Sequence, residues 1–187
     1  MERIAAFALS TLTLAGAAMA AQPEKPTGLC AATEQSYFSC RTTRSRWIGL
    51  CGNSLRQLHY RFGTLRRIDL DYPASGDRKH PPFLYAHYMR YRTERVEVRF
   101  RNGNADYAVV DYREGRSRRA GVRVATDEGR ETEFPCIGTI DSRQGALAGA
   151  LPCDTDNALN GGSCPENGQE YAFTLTFADR RTKASAR

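Results

Sequence analysis

Residues 37–73 read YFSCRTTRSRWIGLCGNSLRQLHYRFGTLRRIDLDYP, and this stretch decides the fold. Two short runs, residues 37–42 and 47–52, lie on either side of the polar turn TRSR. Aromatic and β-branched residues flank the cysteine of each run, and such residues fit a pleated, half-buried surface. The pattern predicts a β-hairpin with one cysteine in each strand, Cys40 and Cys51.

The centre of the turn determines which residues of this hairpin face one another. If the turn centres between Ser45 and Arg46, Cys40 and Cys51 are directly opposite. The Cβ atoms of such a cross-strand pair lie about 5 Å apart, which is within reach of a disulfide after a small adjustment. We therefore expect a Cys40–Cys51 disulfide across the hairpin.

The chain contains six cysteines: Cys30, Cys40, Cys51, Cys136, Cys153 and Cys164. An even number in an exported chain indicates disulfides, although sequence alone does not choose among the many possible pairings. Cys153 and Cys164 bracket a polar segment that a disulfide between them would close, which leaves Cys30 and Cys136 as a pair by elimination. The cysteine spacings do not match the close pairs of a zinc site, so neither a metal nor a cofactor is predicted.

Residues 1–20 are expected to be a signal peptide rather than part of the fold. They combine an apolar run over residues 4–18 with the small-residue site Ala18-Met19-Ala20, a pattern typical of export. No later stretch reaches the roughly 20 apolar residues of a membrane-spanning helix. We therefore predict a periplasmic or secreted protein with no membrane span after cleavage. The predicted organisation is a signal peptide (1–20), a flexible leader (21–29), a single β domain (30–178) and a basic disordered tail (179–187).

Alternation of apolar and polar residues recurs along the rest of the chain. Residues 66–72 and 95–101 alternate strictly, which is typical of strands with one wet face. Residues 113–120 are expected to form a basic loop, and Pro135 suggests an edge strand or a strand end. Residues 170–178 are predicted to form a last strand. The fold class is therefore all-β, an antiparallel meander of about eight or nine strands that forms a sandwich or a barrel.

The chain is basic, with a formal net charge of +6, and arginine supplies most of the positive charge. Guanidinium groups bind phosphate and carboxylate in a bidentate manner, so the arginines could hold an anionic polymer or lipid head groups. The candidates are Arg95, Arg99 and Arg101 on one strand face, with Arg116, Arg118 and Arg119 in the basic loop. The alternative is that these arginines simply solvate a β surface.

Few residues in the chain could act as a base at neutral pH. A small secreted hydrolase would use His59 or His87 together with Asp69 or Asp71. The chain has no G-x-S-x-G nucleophile motif, and its cysteines are expected to be oxidised. The leading hypothesis is therefore a non-catalytic exported β-domain that binds an unidentified protein or envelope component, either as an inhibitor-like protein or as an envelope accessory factor.

The chain resembles a group of exported proteins of Gram-negative bacteria to which no activity is assigned. The likeness rests on FSC at 38–40, LC at 50–51, YRFG at 60–63 and YP at 72–73, and it extends over residues 30–137. This resemblance implies a small secreted β protein and no particular chemistry. The chain lacks the Ser-Gly-x-x-Tyr loop of the small periplasmic lysozyme-inhibitor barrels, so its similarity to them is one of fold alone.

Overall fold

A computed structural model describes residues 28–54, 57–74, 83–161 and 164. Within these residues the chain forms nine β-strands and two short 3-10 helices. The strands are β1 (Gln35–Thr42), β2 (Trp47–Gly52), β3 (His59–Thr64), β4 (Arg67–Tyr72), β5 (Leu84–Arg90), β6 (Thr93–Asn102), β7 (Ala105–Glu114), β8 (Ser117–Thr126) and β9 (Glu131–Ser142). The 3-10 helices are Gln144–Leu147 and Ala158–Asn160.

All nine strands belong to one antiparallel sheet with the order β4-β3-β2-β1-β9-β8-β7-β6-β5. Strands β1 to β4 form one meander and strands β5 to β9 form a second. The two meanders join where β9 pairs with β1. Strands β4 and β5 are the two edges of the sheet. The prediction of an all-β, disulfide-bonded antiparallel fold is confirmed.

The sheet curls into a half-barrel around an aromatic core. Tyr60 of β3 contacts Phe100 of β6 with ring centroids 4.9 Å apart, and Tyr72 of β4 stacks on the same Phe100 at 4.6 Å. Phe62 of β3 meets Phe134 of β9 at 5.2 Å. Because these strands are not neighbours in the sheet, their side chains can meet only if the sheet bends toward its apolar face. We call this apolar side the inner face and the opposite side the outer face.

The first hairpin has a different register from the one that the sequence suggested. Its turn centres on Arg44, because Arg41 pairs with Trp47 and Cys40 pairs with Ile48. Ile48 and Cys40 both belong to the buried core cluster on the inner face. Cys51 is an odd number of residues from Ile48 in β2, so its side chain points to the outer face. The predicted Cys40–Cys51 disulfide is therefore wrong, because the two side chains leave the sheet on opposite sides.

The three disulfides of the structure are Cys30–Cys51, Cys40–Cys136 and Cys153–Cys164. The Cys153–Cys164 prediction is confirmed, while the pairing of Cys30 with Cys136 by elimination is wrong. Cys30 precedes β1 and is bonded to the outer face of β2, with a Cα–Cα distance of 5.3 Å. Cys40 is bonded across the join between the two meanders, with a Cα–Cα distance of 5.7 Å.

Two further sequence expectations are corrected by the strand pairing. Residues 113–120 do not form a loop, because β7 and β8 pair almost to their ends and leave only a tight turn between Glu114 and Ser117. Pro135 does not mark an edge or a strand end, since it lies inside β9, between β8 and β1. Its carbonyl accepts a hydrogen bond from the N–H of Thr43. Its missing N–H is tolerated here because the β1–β9 ladder ends at the neighbouring Thr42–Cys136 pair.

The chain after β9 packs against the inner face. Leu147 is fully buried, and Leu151 belongs to the same core cluster. The Gln144 side-chain amide donates to the carbonyl of Val109 in β7 at 3.2 Å. The predicted last strand at residues 170–178 lies outside the described residues. Within the described part of the chain, no helix is long and apolar enough to cross a membrane.

Candidate functional site

A notch in the outer face of the second meander is the strongest candidate for a functional site. The alternation of β6 places Val96, Val98 and Phe100 in the core, so Glu97 and Arg99 stand on the outer face. In the neighbouring strands β7 and β8, the small side chains of Ala108 and Ala125 occupy this face. The long side chain of Arg123 stands beside Ala108, with which it is paired. Long polar side chains around a floor of small ones create a hollow rather than a flat surface.

The segment 152–160 crosses the outer face and covers part of this notch. Its start pairs with the edge strand β5, where the Tyr85 carbonyl accepts from Asp154 N–H at 2.9 Å. The Asp154 carboxylate, only 2 % exposed, accepts from the Arg99 guanidinium at 2.7 Å. The Asn160 side chain accepts from His87 N–H at 3.1 Å and donates to the Asp154 carbonyl at 2.8 Å. The segment is therefore fixed to the sheet by side chains and by its backbone bridge to β5, and the Cys153–Cys164 disulfide closes it.

A buried carboxylate lies at the centre of these contacts. Glu97 is 2 % exposed and accepts hydrogen bonds from the Tyr112 hydroxyl, from the Arg123 guanidinium at 3.3 Å and from the Asn157 amide at 2.6 Å. The three donors come from β7, β8 and the covering segment. Glu97 therefore joins two strands and the segment above them. A buried charge is stable only with such partners.

The electrostatics of the network affect the Tyr112 phenol and the Arg123 guanidinium. Burial disfavours the phenolate and, with the Glu97 carboxylate nearby, raises the pKa of Tyr112 to about 12. Burial alone would lower the pKa of Arg123, but Glu97 and Tyr112 outweigh this effect and raise it. Tyr112 is therefore a hydrogen-bond donor at neutral pH, and Arg123 is a cation.

The notch forms an open pocket of about 430 Å³. This volume falls within the range typical of small-molecule and side-chain pockets. Its lining consists of Glu97, Arg99, Asp106, Tyr107, Ala108, Tyr112, Arg123, Ala125, Glu131, Asp156, Asn157, Ala158 and Leu159.

The charges of the pocket do not cancel. Arg99 and Arg123 are neutralised by the buried carboxylates Asp154 and Glu97. Two exposed carboxylates of the lining, Glu131 and Asp156, make no ion pair within the described residues, although the charge of Glu131 contributes to the raised pKa of Arg123. The opening of the pocket is therefore acidic, although the chain as a whole is basic. Such a pocket favours a ligand group that carries a positive charge.

The arginines predicted to form an anion-binding face are mostly paired with carboxylates. Arg95 contacts Glu114 at 2.7 Å, and Arg101 contacts Asp106 at 2.9 Å. The other pairs of this set are Arg99 with Asp154, Arg101 with Asp127, Arg118 with Asp111, and Arg119 with Glu133. Arg116 is the exception, since it makes no ion pair within the described residues. This face therefore has little free positive charge, and it should attract an anionic polymer only weakly.

Of the residues proposed for hydrolysis, the structure brings together only His59 and Asp71. His59 Nδ1 lies 2.9 Å from Asp71 Oδ1, on the outer faces of β3 and β4. Asp69 instead accepts from Arg67 at 2.8 Å. His87 lies on β5, where its Nε2 is 3.5 Å from Glu94.

The surroundings of the His59–Asp71 pair are those of an ion-pair network. Arg61 donates to Asp71 at 3.3 Å and also contacts Glu34, which lies in the segment before β1. Burial opposes ionisation of Glu34, but the hydrogen bonds from Arg61 and from the Ala31 N–H outweigh it and lower the pKa of Glu34. In the described part of the chain, no hydroxyl is hydrogen-bonded to His59, and all six cysteines are oxidised.

Among the residues of the pocket, only Arg99 was identified from the sequence, and it was assigned to an anion-binding face rather than to this pocket. Glu97 occurs in RVEVRFR, where a strict alternation predicts an exposed position. Its burial depends on the segment 152–160, which is more than fifty residues away in the chain. One signal was available, because a segment rich in Asp and Asn between two cysteines has more polar side chains than an ordinary turn requires.

No protein-family model matches this chain, and no significant match was found among curated proteins or solved structures. Among the residues that the structure describes, no three His, Cys, Asp or Glu side chains lie close enough together to hold a metal ion. The three disulfides indicate an oxidising, exported environment. The site must therefore be interpreted from its own geometry.

Proposed function

We propose that this protein is a non-catalytic exported β-domain, periplasmic or secreted, that binds a partner through the outer-face pocket. The partner inserts a positively charged group, such as an arginine or lysine side chain, into the cavity. One observation carries this proposal: a preformed cavity of about 430 Å³ is held open by a buried Glu97 network and has unpaired carboxylates at its opening. Preformed pockets reduce the ordering cost of binding.

The pocket supports binding rather than catalysis. Of its carboxylates, Glu97 and Asp106 are both occupied by donors, and the Tyr112 phenol is held neutral by burial and by Glu97. A general base needs a free lone pair in contact with its substrate. The side chains that remain available, Glu131 and Asp156, are exposed carboxylates suited to an ion pair.

The experiment compares capture from a periplasmic extract by four immobilised variants and the wild type. Ala125→Trp fills the floor of the pocket, and Glu131→Lys reverses the charge at its opening. Two matched controls make the same changes elsewhere, Ala32→Trp in the exposed segment before β1 and Glu128→Lys in the β8–β9 turn. We expect the two pocket variants to bind the captured protein at least about 10-fold more weakly, as hot-spot changes do.

The controls should bind as the wild type does. Equal capture by all five proteins, with unchanged thermal unfolding, would show that the partner is bound elsewhere. Loss of binding in Glu128→Lys as well as in Glu131→Lys would indicate a general charge effect rather than a pocket.

The His59–Asp71 contact favours a second candidate function, a small secreted hydrolase. A histidine hydrogen-bonded to a carboxylate is the arrangement that orients a general base. Turnover of ester or glycoside substrates by the wild type, lost in His59→Gln and retained in His87→Gln, would support this function. Absence of turnover in all three proteins leaves the binding function as the better account.

A further inference from the structure

Two hairpin tips lie side by side at one end of the second meander. The turns after β5 and after β7 fall at the same end of the sheet, because the strands β5 to β8 are antiparallel in sequence order. The N–H of Gly115 donates to the carbonyl of Arg92 at 2.7 Å, which fixes the two tips together. Arg92 itself adopts φ = 58°, a conformation that is uncommon outside glycine.

The exposed side chains of these tips are of two kinds. Tyr91 is 89 % exposed, and it follows Tyr88 and Met89, which are also exposed large hydrophobics. Arg90 and Arg92 flank Tyr91 and are exposed as well. An aromatic ring with so little contact stands out in a chain where Tyr60, Tyr72, Tyr85 and Tyr107 pack into the core.

The arginines at this end differ from those of the sheet face. Arg90, Arg92 and Arg116 make no ion pair within the described residues. Arginines just inside the strands are paired, for example Arg95 with Glu114 and Arg118 with Asp111. The unpaired positive charge of the second meander is therefore concentrated at the hairpin tips, which we call the basic tip surface (Arg90, Tyr91, Arg92 and Arg116).

We propose that the basic tip surface binds the surface of an anionic lipid bilayer. The tips project from the sheet, so they fit a flat, deformable surface better than a groove-binding segment. Tyrosine rings favour the boundary between head groups and acyl chains, and guanidinium groups pair with lipid phosphates. This function is independent of the outer-face pocket, because the two sites share no residue.

The test is co-sedimentation with vesicles of phosphatidylcholine alone and of phosphatidylcholine mixed with phosphatidylglycerol. The wild type should partition onto the mixed vesicles and not onto the neutral ones. Each arginine near an anionic surface strengthens partitioning about fivefold. The triple variant Arg90→Gln, Arg92→Gln, Arg116→Gln should therefore bind roughly 100-fold more weakly.

The matched control removes three arginines from the opposite end of the sheet, as Arg67→Gln, Arg101→Gln and Arg130→Gln. Both triple variants have the same net charge, so a difference between them reports location. Partitioning of the control should stay within a few-fold of the wild type. The single variant Arg116→Gln should partition onto the mixed vesicles about fivefold more weakly than the wild type. Because it changes one exposed turn residue, it tests the proposal even if the triple variant misfolds.

Four outcomes would overturn the proposal. The first two are failure of the wild type to bind mixed vesicles and equal binding of the wild type to neutral ones. The third is an equal loss of binding in the two triple variants, which would indicate net charge alone. Retention on heparin that depends on the tip arginines, without vesicle binding, would assign the surface to an anionic polymer instead.

Discussion

Replacing Glu97 with alanine removes the carboxylate that joins β7, β8 and the segment 152–160. The change leaves the Tyr112 hydroxyl, the Arg123 guanidinium and the Asn157 amide without their acceptor. It does not create a cavity in the aromatic core, because Glu97 lies on the outer face. The expected loss of stability therefore reports the polar network and little else.

The size of this loss follows from the partners of Glu97. Hydrogen bonds to a charged group contribute about 1.5–3 kcal/mol each, so three of them give roughly 4.5–9 kcal/mol. Burying the Glu97 carboxylate on folding costs its hydration, and this cost offsets a large part of the gain from the three hydrogen bonds. Removing one member of a buried charged pair typically costs about 3–5 kcal/mol. We expect a loss of about 3–4 kcal/mol in the free energy of unfolding for Glu97→Ala.

The assay is urea denaturation of the oxidised protein, followed by far-ultraviolet circular dichroism. The expected loss corresponds to a fall in Tm of roughly 10 °C for a chain of this size. Glu131→Ala is the matched control, since it makes the same change at an exposed position of the same face. This control should change stability by no more than about 0.5 kcal/mol.

A second readout tests the connection to the covering segment. Limited proteolysis should cleave within residues 152–160 faster in Glu97→Ala than in the control, because Asn157 loses its anchor. The reasoning is refuted if Glu97→Ala costs less than about 1 kcal/mol or no more than Glu131→Ala. Slower or unchanged cleavage in the segment would show that the disulfide and Asp154 suffice to hold it.

Three further predictions concern the frame around the site. Breaking the Cys40–Cys136 disulfide with two serines should cost about 4–5 kcal/mol in the chain-entropy account, because the bond closes a loop of 96 residues; urea denaturation measures this. Burial would raise the pKa of Asp111, but hydrogen bonds from neighbouring side chains outweigh it and hold the pKa low. The ionised carboxylate therefore stabilises the fold above its ordinary pKa of about 4, and this stability should be lost as the pH falls below that value. Asp111→Asn should flatten this pH dependence. Gly63→Ala would place a Cβ 2.3 Å from a backbone carbonyl oxygen and should cost about 1–3 kcal/mol of stability. A Cβ at Gly103 meets no atom within 4 Å, so Gly103→Ala should cost only the strain of its positive φ.

Each of these has an outcome that contradicts it. The disulfide prediction fails if the two serines change the urea midpoint no more than one exposed substitution does. The pH prediction fails if the wild type and the Asp111→Asn variant lose stability in parallel below pH 4. The glycine prediction fails if Gly63→Ala and Gly103→Ala are equally stable.

Strands could be predicted from the sequence because the alternation of residues is a local property. The sequences around β4 and β6 show a period of two, and the structure places both strands almost where the pattern predicted. The predicted turn at Asn102-Gly103 lies one residue from the observed one, in which Gly103 and Asn104 join β6 to β7 and Gly103 adopts φ = 61°. Residues 113–120 were misassigned as a loop because arginine and glycine are also common in loops. In this protein carboxylates on neighbouring strands, such as Asp111 and Glu133, pair with those arginines and stabilise β8.

Disulfide pairing could not be predicted because it depends on the register. Shifting the centre of the first hairpin from between Ser45 and Arg46 to Arg44 moves the partner of Cys40 from Cys51 to Ile48. A change of one residue reverses the face on which a side chain lies. No local pattern in TRSR distinguishes the two turns. The actual partners of Cys40 and Cys51 come from β9 and from the segment before β1, and sequence spacing contains no information about either.

The packing of two covering segments explains why the pocket lies in the second meander and not in the first. The β1–β9 join is irregular, with a register shift between Cys40 and Arg41, and the Cys40–Cys136 bond closes it. Cys30–Cys51 bonds the segment before β1 directly to β2, whereas Cys153–Cys164 joins two residues outside the nine strands and closes the covering segment of the second meander. In the first meander the segment before β1 lies directly on β2, since a Cβ at Gly49 would be 3.5 Å from Leu29. In the second meander the covering segment lies over Ala108 and Ala125 and leaves a pocket between itself and the sheet. Both segments are held to the sheet by an arginine–carboxylate pair, Arg61 with Glu34 and Arg99 with Asp154, but within the described residues only the second leaves room for a ligand.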